Sequence, residues 1–192
     1  MRVSSQLSAL IEEVDALRKT LDDTWQIPRI EGEFLYQIAL ATGAKLIVEV
    51  GTSYGFSGLF WSAALQRTGG ILHTIDISQK KFDASRKHFE RAGVANQVVN
   101  HLGDAMAELP KIAGPIDIAF IDGSDKQLSR QYFELIWPKL RVGGSVLTDN
   151  TKTHPDELAD YVGFTRAFAG ATSIDIPIGN GVEWTTKLSA AV

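Results

Sequence analysis

The chain has 192 residues, 19 Lys and Arg against 23 Asp and Glu, a formal charge of −4 and no cysteine. The length suits one domain with a sizeable core, and the acidic balance argues against a dedicated nucleic-acid binder, which needs a basic face. The lack of cysteine excludes disulfides, thiolate zinc sites, iron–sulfur clusters and a cysteine nucleophile. No apolar run approaches the roughly 18 residues of a membrane span. The first 17 residues hold three acids and no apolar signal region, so a cytoplasmic protein is the simplest reading.

Val3, Leu7, Leu10, Ile11, Val14, Leu17 and Leu21 recur in steps of three and four, the stripe of an amphipathic helix that must cover either this domain or a second subunit. Pro28 interrupts, and Glu31 to Ala41 reads as a second helix. From residue 44 the pattern changes. Short apolar, β-rich runs fall at Lys45 to Val50, Ile71 to Ile77, Gln97 to Leu102, Ile116 to Ile121 and Gly144 to Leu147. Helical stretches separate them at Gly55 to Gln66, Gln79 to Arg91 and Gln127 to Leu140. Strands buried on both faces and alternating with helices predict a parallel sheet with right-handed crossovers. Near the end, Ser173 to Pro177 and Val182 to Leu188 flank Gly179-Asn180-Gly181, an Asn-Gly hairpin signal. The expectation is one α/β domain over 1–192, with N-terminal helices over 1–43 and a core over 44–192. Its sheet has seven strands, of which only the last runs antiparallel.

Open parallel sheets bind ligands at the carboxyl ends of their strands, so the residues leaving each strand carry the chemistry. The first run ends in Glu49-Val50-Gly51-Thr52-Ser53-Tyr54-Gly55-Phe56-Ser57-Gly58, a glycine-containing turn into a helix but not GxGxxG. Such a turn either lets backbone approach a ligand or merely admits a tight helix entry. Asp76 ends the second run 25 residues after Gly51, where nucleotide-binding α/β folds place a carboxylate for ribose hydroxyls. Its other reading is a helix N-cap, a task Ser78 can also perform. Asp104, in Gly103-Asp104-Ala105, is either an N-cap or an adenine contact. Asp122 ends the fourth run, and Asp149 and Asn150 end the fifth. Three hard oxygen donors at one sheet edge suit Mg²⁺ or another oxygen-loving divalent cation; otherwise they are unrelated loop acids. Lys126, four residues after Asp122, is either a catalytic cation or base or a solvated lysine.

The histidines at 73, 88, 101 and 154 show no metal-ligand spacing. His88 is expected to be exposed, and only His154 lies near the presumed site. Trp61 and Trp137 read as core, and Trp184 as hairpin packing.

Val48 to Ser57 resembles the S-adenosylmethionine loop of class I methyltransferases. It is most similar to the catechol and caffeoyl-CoA O-methyltransferases, in which an E-[IV]-G-x-x-x-G-[YF]-S pattern follows strand one. Glu31-Gly32-Glu33-Phe34-Leu35, Asp76, Gly103-Asp104-Ala105, Phe120-Ile121-Asp122, Gly143-Gly144, Asp149-Asn150 and Ile176 to Gly181 follow in the family's order, so the resemblance covers about residues 25 to 188. It implies a Rossmann-like fold and methyl transfer from S-adenosylmethionine to a hydroxyl of a small, catechol-like or phenolic acceptor. Glu49, Gly51, Tyr54 and Ser57 would meet the methionine part, directly or through backbone. Asp76 would hold the ribose, and Asp104 and Ala105 would meet the adenine. Asp122, near the sulfonium, would hold a divalent cation with Asp149 and Asn150, and Lys126 would take the acceptor's proton. A homodimer without nucleic-acid or membrane partners is expected. Two departures stand out. The family's lysine follows its first metal aspartate by three residues rather than four. The stretch between Asn150 and the hairpin is short, which leaves the pocket more open or completed by another subunit. The competing readings are a metal-independent methyltransferase, an NAD-dependent oxidoreductase, against which the missing GxGxxG spacing and the terminal hairpin both speak, and a non-catalytic binding or scaffolding protein on this fold, against which the intact acidic set counts.

Overall fold

The structure is a computed structural model that describes residues 1 and 3–189. Helix α1 (Ser5–Ala16) opens on Ser4, whose hydroxyl accepts the Leu7 N–H. Its stripe of Leu7, Leu10, Ile11 and Val14 is buried. These residues join the same core cluster as Phe56, Leu59, Phe60 and Phe89, so α1 covers this domain rather than a second subunit. Helix α2 (Arg29–Thr42) follows Pro28 and stops at Gly43, whose φ of +64° is a left-handed C-cap that glycine adopts without strain.

The core then alternates β1 (Leu46–Val50), α3 (Phe56–Thr68), β2 (Ile71–Asp76), α4 (Gln79–Arg91), β3 (Val98–Leu102), α5 (Ala105–Glu108), β4 (Ile116–Ile121), α6 (Ser129–Ile136) and β5 (Leu140–Asp149). Helix α7 (Pro155–Ala167) and the hairpin of β6 (Ala171–Ile176) and β7 (Val182–Lys187) complete it. The strand order is β3-β2-β1-β4-β5-β7-β6. The first five strands are parallel, and β7 runs antiparallel to both β5 and β6. The seven-stranded sheet with one antiparallel strand is the arrangement the sequence predicts.

Helices cover both faces because successive strand residues point to opposite sides. Ile47 packs with α1 to α4. Val48 and Val50 pack on the other side, with α5, α6 and α7. Residues that leave adjacent parallel strands therefore meet at one edge.

Three boundaries differ from expectation. The stretch after Asn150 forms α7, which begins at Pro155 with Asp156 and Glu157 in its first turn. Those are helix-start signals, but only Leu158, Tyr161 and Thr165 are buried, too narrow a stripe to stand out. The expected helix from Gln127 to Leu140 is the eight-residue α6 between tight turns, because Pro138 cannot continue it. Strand β5 starts at Leu140, ahead of the glycines that mask its apolar pattern.

If α1 belongs to this core, Ile11→Ala should cost about 2–4 kcal/mol, the usual scale for truncating a buried aliphatic side chain. Urea unfolding should show the loss at every protein concentration; a concentration-dependent loss would place the stripe in a subunit contact instead.

Candidate functional site

A cavity of about 880 Å³ opens at the carboxyl ends of the parallel strands, between the loop after β1 and the loops after β2, β3, β4 and β5. Gly51 leaves β1 with φ +100°. A Cβ there would collide with the Asp122 carbonyl, so only glycine lets the first loop pass this close to the end of β4. Ser53 is also left-handed, at φ +46°, and its N–H donates to Asp76 Oδ2 at 2.7 Å. Asp76 Oδ1 accepts the Ser78 N–H at 2.8 Å. Asp76 thus ties two loops together at the cavity wall, while Ser78 takes the N-cap of α4. Asp104 does two things the sequence leaves as alternatives. It caps the short α5 by accepting the Met106 N–H, and it lines the cavity with Gly103 and Ala105.

The methionine-part residues are divided. Gly51 and Ser53 line the cavity, whereas Glu49, Tyr54 and Ser57 are buried and do not line it. Glu49 is fully buried because alternation turns it to the α3 side of β1. It accepts from Trp61 Nε1 at 3.1 Å and from Thr74 Oγ1 at 2.6 Å. Trp61, expected as plain core, therefore also carries a polar contact. Tyr54 donates to Asp23 Oδ1, and its carbonyl meets His88 Nδ1 at 2.8 Å, so His88 is half-buried rather than exposed.

At the other end, Asp122, Lys126 and Asn150 line the cavity, whereas Asp149 is buried and does not. Lys126 Nζ donates to Asp122 Oδ1 at 2.9 Å, with both side chains largely buried. Asp149 Oδ1 accepts the Asn150 N–H at 2.6 Å. Its Oδ2 accepts the Asn180 side-chain amide at 3.2 Å. Asn150, at φ +78°, adopts the left-handed backbone that Asn tolerates better than most residues. Its amide nitrogen donates to Thr153 Oγ1, which leaves its Oδ1 available.

Residues 48–151 match the family described as a methyltransferase domain. A catechol O-methyltransferase of Mycobacterium tuberculosis is 34% identical over 151 residues, 74% of this chain and 68% of that protein.

The chain belongs to the class I S-adenosylmethionine-dependent O-methyltransferases of the catechol and caffeoyl-CoA type.

Caffeoyl-CoA O-methyltransferase 1 of Zea mays is 30% identical over 176 residues, 79% of this chain and 67% of the relative. In fold, the methyltransferase superposes on an S-adenosylhomocysteine-bound methyltransferase of Podospora anserina with TM-score 0.87 at 21% identity, covering 97% of this chain and 89% of the other. An O-methyltransferase of Bacillus cereus gives 0.82 at 24% identity, covering 97% and 92%. The family membership sets aside both the oxidoreductase reading and that of a non-catalytic protein.

Several cavity residues carry no role in the sequence reading. The segment before α2 supplies Asp23, Trp25 and Gln26, and Lys81 and Tyr132 come from α4 and α6. Trp25 is 68% exposed, with φ +40°, and the Lys81 ammonium lies 4.1 Å from its ring centre. No periodicity signals such residues, because a loop meets the cavity only through the tertiary fold. Glu31, in the Glu31-Gly32-Glu33-Phe34-Leu35 stretch, is fully buried beside Asp149, which its place in a helical pattern does not signal.

The electrostatics of the site follow from burial. Burial and the nearby Asp149 push Glu31 up to about 10. Burial raises Asp122 to about 8 against the pull of Lys126, and Asp149 is raised chiefly by burial too. Burial lifts Glu49 to about 7, opposed by its hydrogen bonds. A carboxyl whose folded pKa is raised favours folding at low pH, and that contribution is lost as pH climbs from the unfolded value through the folded one. Glu49→Gln should therefore flatten the stability–pH curve between about pH 4.5 and 7. It should become relatively more stable than the parent by on the order of 2–3 kcal/mol at pH 8. Urea melts of both proteins across pH 5 to 8 would check this; parallel curves would show that Glu49 ionises without cost.

Proposed function

We propose that the enzyme methylates a hydroxyl of a small catechol-like or phenolic acceptor, with a divalent cation held by Asp122, Asp149 and Asn150. One observation supports the cation most. Three carboxyl groups, Glu31, Asp122 and Asp149, are buried within electrostatic reach of one another. Lys126 is the one cation in contact with them among the described residues. A cluster of buried carboxyl groups with free oxygen lone pairs, each costly to ionise without a counter-charge, is the chemistry of a hard-cation site. Bound there, such an ion lowers the pKa of a phenol from about 10 and fixes two vicinal oxygens.

The chain's own groups supply the rest. Methyl transfer from a sulfonium is an in-line displacement, so positioning dominates. Gly51 and Ser53 bring backbone against the donor, and Asp76, rigid between two N–H groups, retains lone pairs for ribose hydroxyls. Asp104 and Ala105 stand where the adenine is expected, and the exposed side chain of Ile77 offers an apolar surface beside them. The acceptor's hydroxyl proton leaves to the Asp122–Lys126 pair or to water. No nucleophilic side chain is required.

The metal-independent reading also has an observation behind it. Lys126 already places a positive charge on Asp122, and no three His, Cys, Asp or Glu side chains among the described residues form a metal-holding group. Methyl transfer over a panel of catechols, flavonoids and hydroxycinnamoyl esters, with EDTA or with Mg²⁺, decides between the two. On the cation reading, EDTA, Asp122→Ala and Asp149→Ala each lower activity by about two orders of magnitude or more, and Asn150→Ala by less, because a neutral amide is the weaker ligand. Full transfer in excess EDTA would select the lysine reading. On either, Asp76→Ala should weaken S-adenosylmethionine binding by about 1.5–3 kcal/mol, the scale for a hydrogen bond to a charged group. Calorimetry showing unchanged affinity would remove Asp76 from the donor site.

A further inference from the structure

Glu31 stands in the first turn of α2, away from the cavity wall, yet it is as deeply buried as any core residue. The rest of that helix face is apolar, with Leu35, Ile38 and Ala39 packed inside. A carboxyl is the costly choice among them, because burying it sacrifices hydration that an aliphatic side chain would not miss. No Lys, Arg or His forms an ion pair with it among the described residues. Its two oxygens differ in their surroundings. Oε2 accepts the backbone N–H of Asn180 at 3.2 Å. Oε1 is buried and takes no hydrogen bond from an N–H or hydroxyl, and the carboxyl group lies against that of Asp149.

The hairpin turn is shaped to receive it. Gly179 has φ +52°, and a Cβ there would press into Glu31 Oε2, so the turn approaches the carboxyl through a residue with no side chain. The next residue, Asn180, points its side-chain amide at Asp149 Oδ2. Two backbone bonds, Lys152 N–H to Asn180 and Thr151 N–H to Gly181, fasten the same turn to the segment leaving β5. Glu31, Asn180 and Asp149 thus form a chain from the N-terminal helix through the hairpin to the end of β5.

We infer that Glu31 is a positioning residue: its carboxyl group clamps the 178–181 turn over the end of β5 and so sets the Asn180 amide and the Asp149 carboxylate at the methyl-transfer site. The clamp itself is independent of any ion. Its consequence for a cation rests on the reading of Asp149 as a ligand. Glutamine keeps the acceptor oxygen and adds an N–H that Asp149 can accept, whereas alanine removes both.

The test uses the 192-residue chain as wild type, Glu31→Gln and Glu31→Ala. Asn180 amide exchange is followed by NMR in EDTA, Mn²⁺ binding by calorimetry, and S-adenosylmethionine binding by calorimetry in EDTA. Loss of one buried hydrogen bond should speed Asn180 exchange about tenfold in Glu31→Ala and change it by no more than about threefold in Glu31→Gln. Mn²⁺ should bind Glu31→Ala about tenfold more weakly, with donor affinity within about twofold, a split that general destabilisation would not produce. Should Glu31→Ala fail to fold, Gly179→Ala, which keeps Glu31 but forces its Oε2 away from the turn, must speed Asn180 exchange likewise. Unchanged Asn180 exchange in the alanine variant, or wild-type Mn²⁺ affinity in it, overturns the inference. A wild type that takes up no Mn²⁺ overturns the cation reading instead, and Asn180 exchange alone then judges the clamp.

Discussion

The close approach of Gly51 to the carbonyl of Asp122 is the constraint on which the rest of the site depends. In the order β3-β2-β1-β4-β5-β7-β6, the chain leaves β1 toward β2 on one side, while β4 and β5 extend the sheet on the other. The loops diverge between β1 and β4, and the crevice they leave is where ligands bind in open α/β sheets. The two backbones must still pass nearly in contact at its floor. Only a residue without a Cβ permits that, and the same contact brings the donor loop beside Asp122.

From that floor the site divides by charge. Toward β2 and β3, Asp76 and Asp104 are held by backbone N–H groups and remain at the surface of the cavity. Toward β5, Asp122, Asp149 and Glu31 are withdrawn from water and crowd one another, which favours their neutral forms. The first half suits hydroxyl and amine groups, and the second invites a cation. On the proposed function, one fold edge separates recognition of the donor from activation of the acceptor.

The segment between α1 and α2 closes the arrangement from above. Ser53 Oγ donates to the Thr24 carbonyl, Tyr54 meets Asp23, and Arg18 reaches the Ile27 carbonyl. These bonds lash the segment to the donor loop and carry Trp25 to the cavity mouth. With the clamp from Glu31, the N-terminal helices serve as part of the site's frame rather than as an appendage.

The order of elements, the parallel sheet and the acids at the strand ends were legible in the sequence, because burial on both faces and alternation impose local patterns on apolar residues. Asp76, Asp104, Asp122, Asp149 and Asn150 could be picked out for the same reason: each stands at or just past the end of a recognisable strand. Helix α7 was not, since a helix that buries a narrow stripe leaves a weak period. Nor could the sequence tell that Glu49 and Ser57 are buried away from the cavity lining, that Trp61 serves Glu49, or that Lys126 turns onto Asp122. The largest omission was Glu31, whose partner Asn180 lies 149 positions away. A buried acid in a helical stripe resembles a solvated one until the hairpin is folded against it. Local patterns record which way a side chain faces; only the packing of distant segments decides what it meets there.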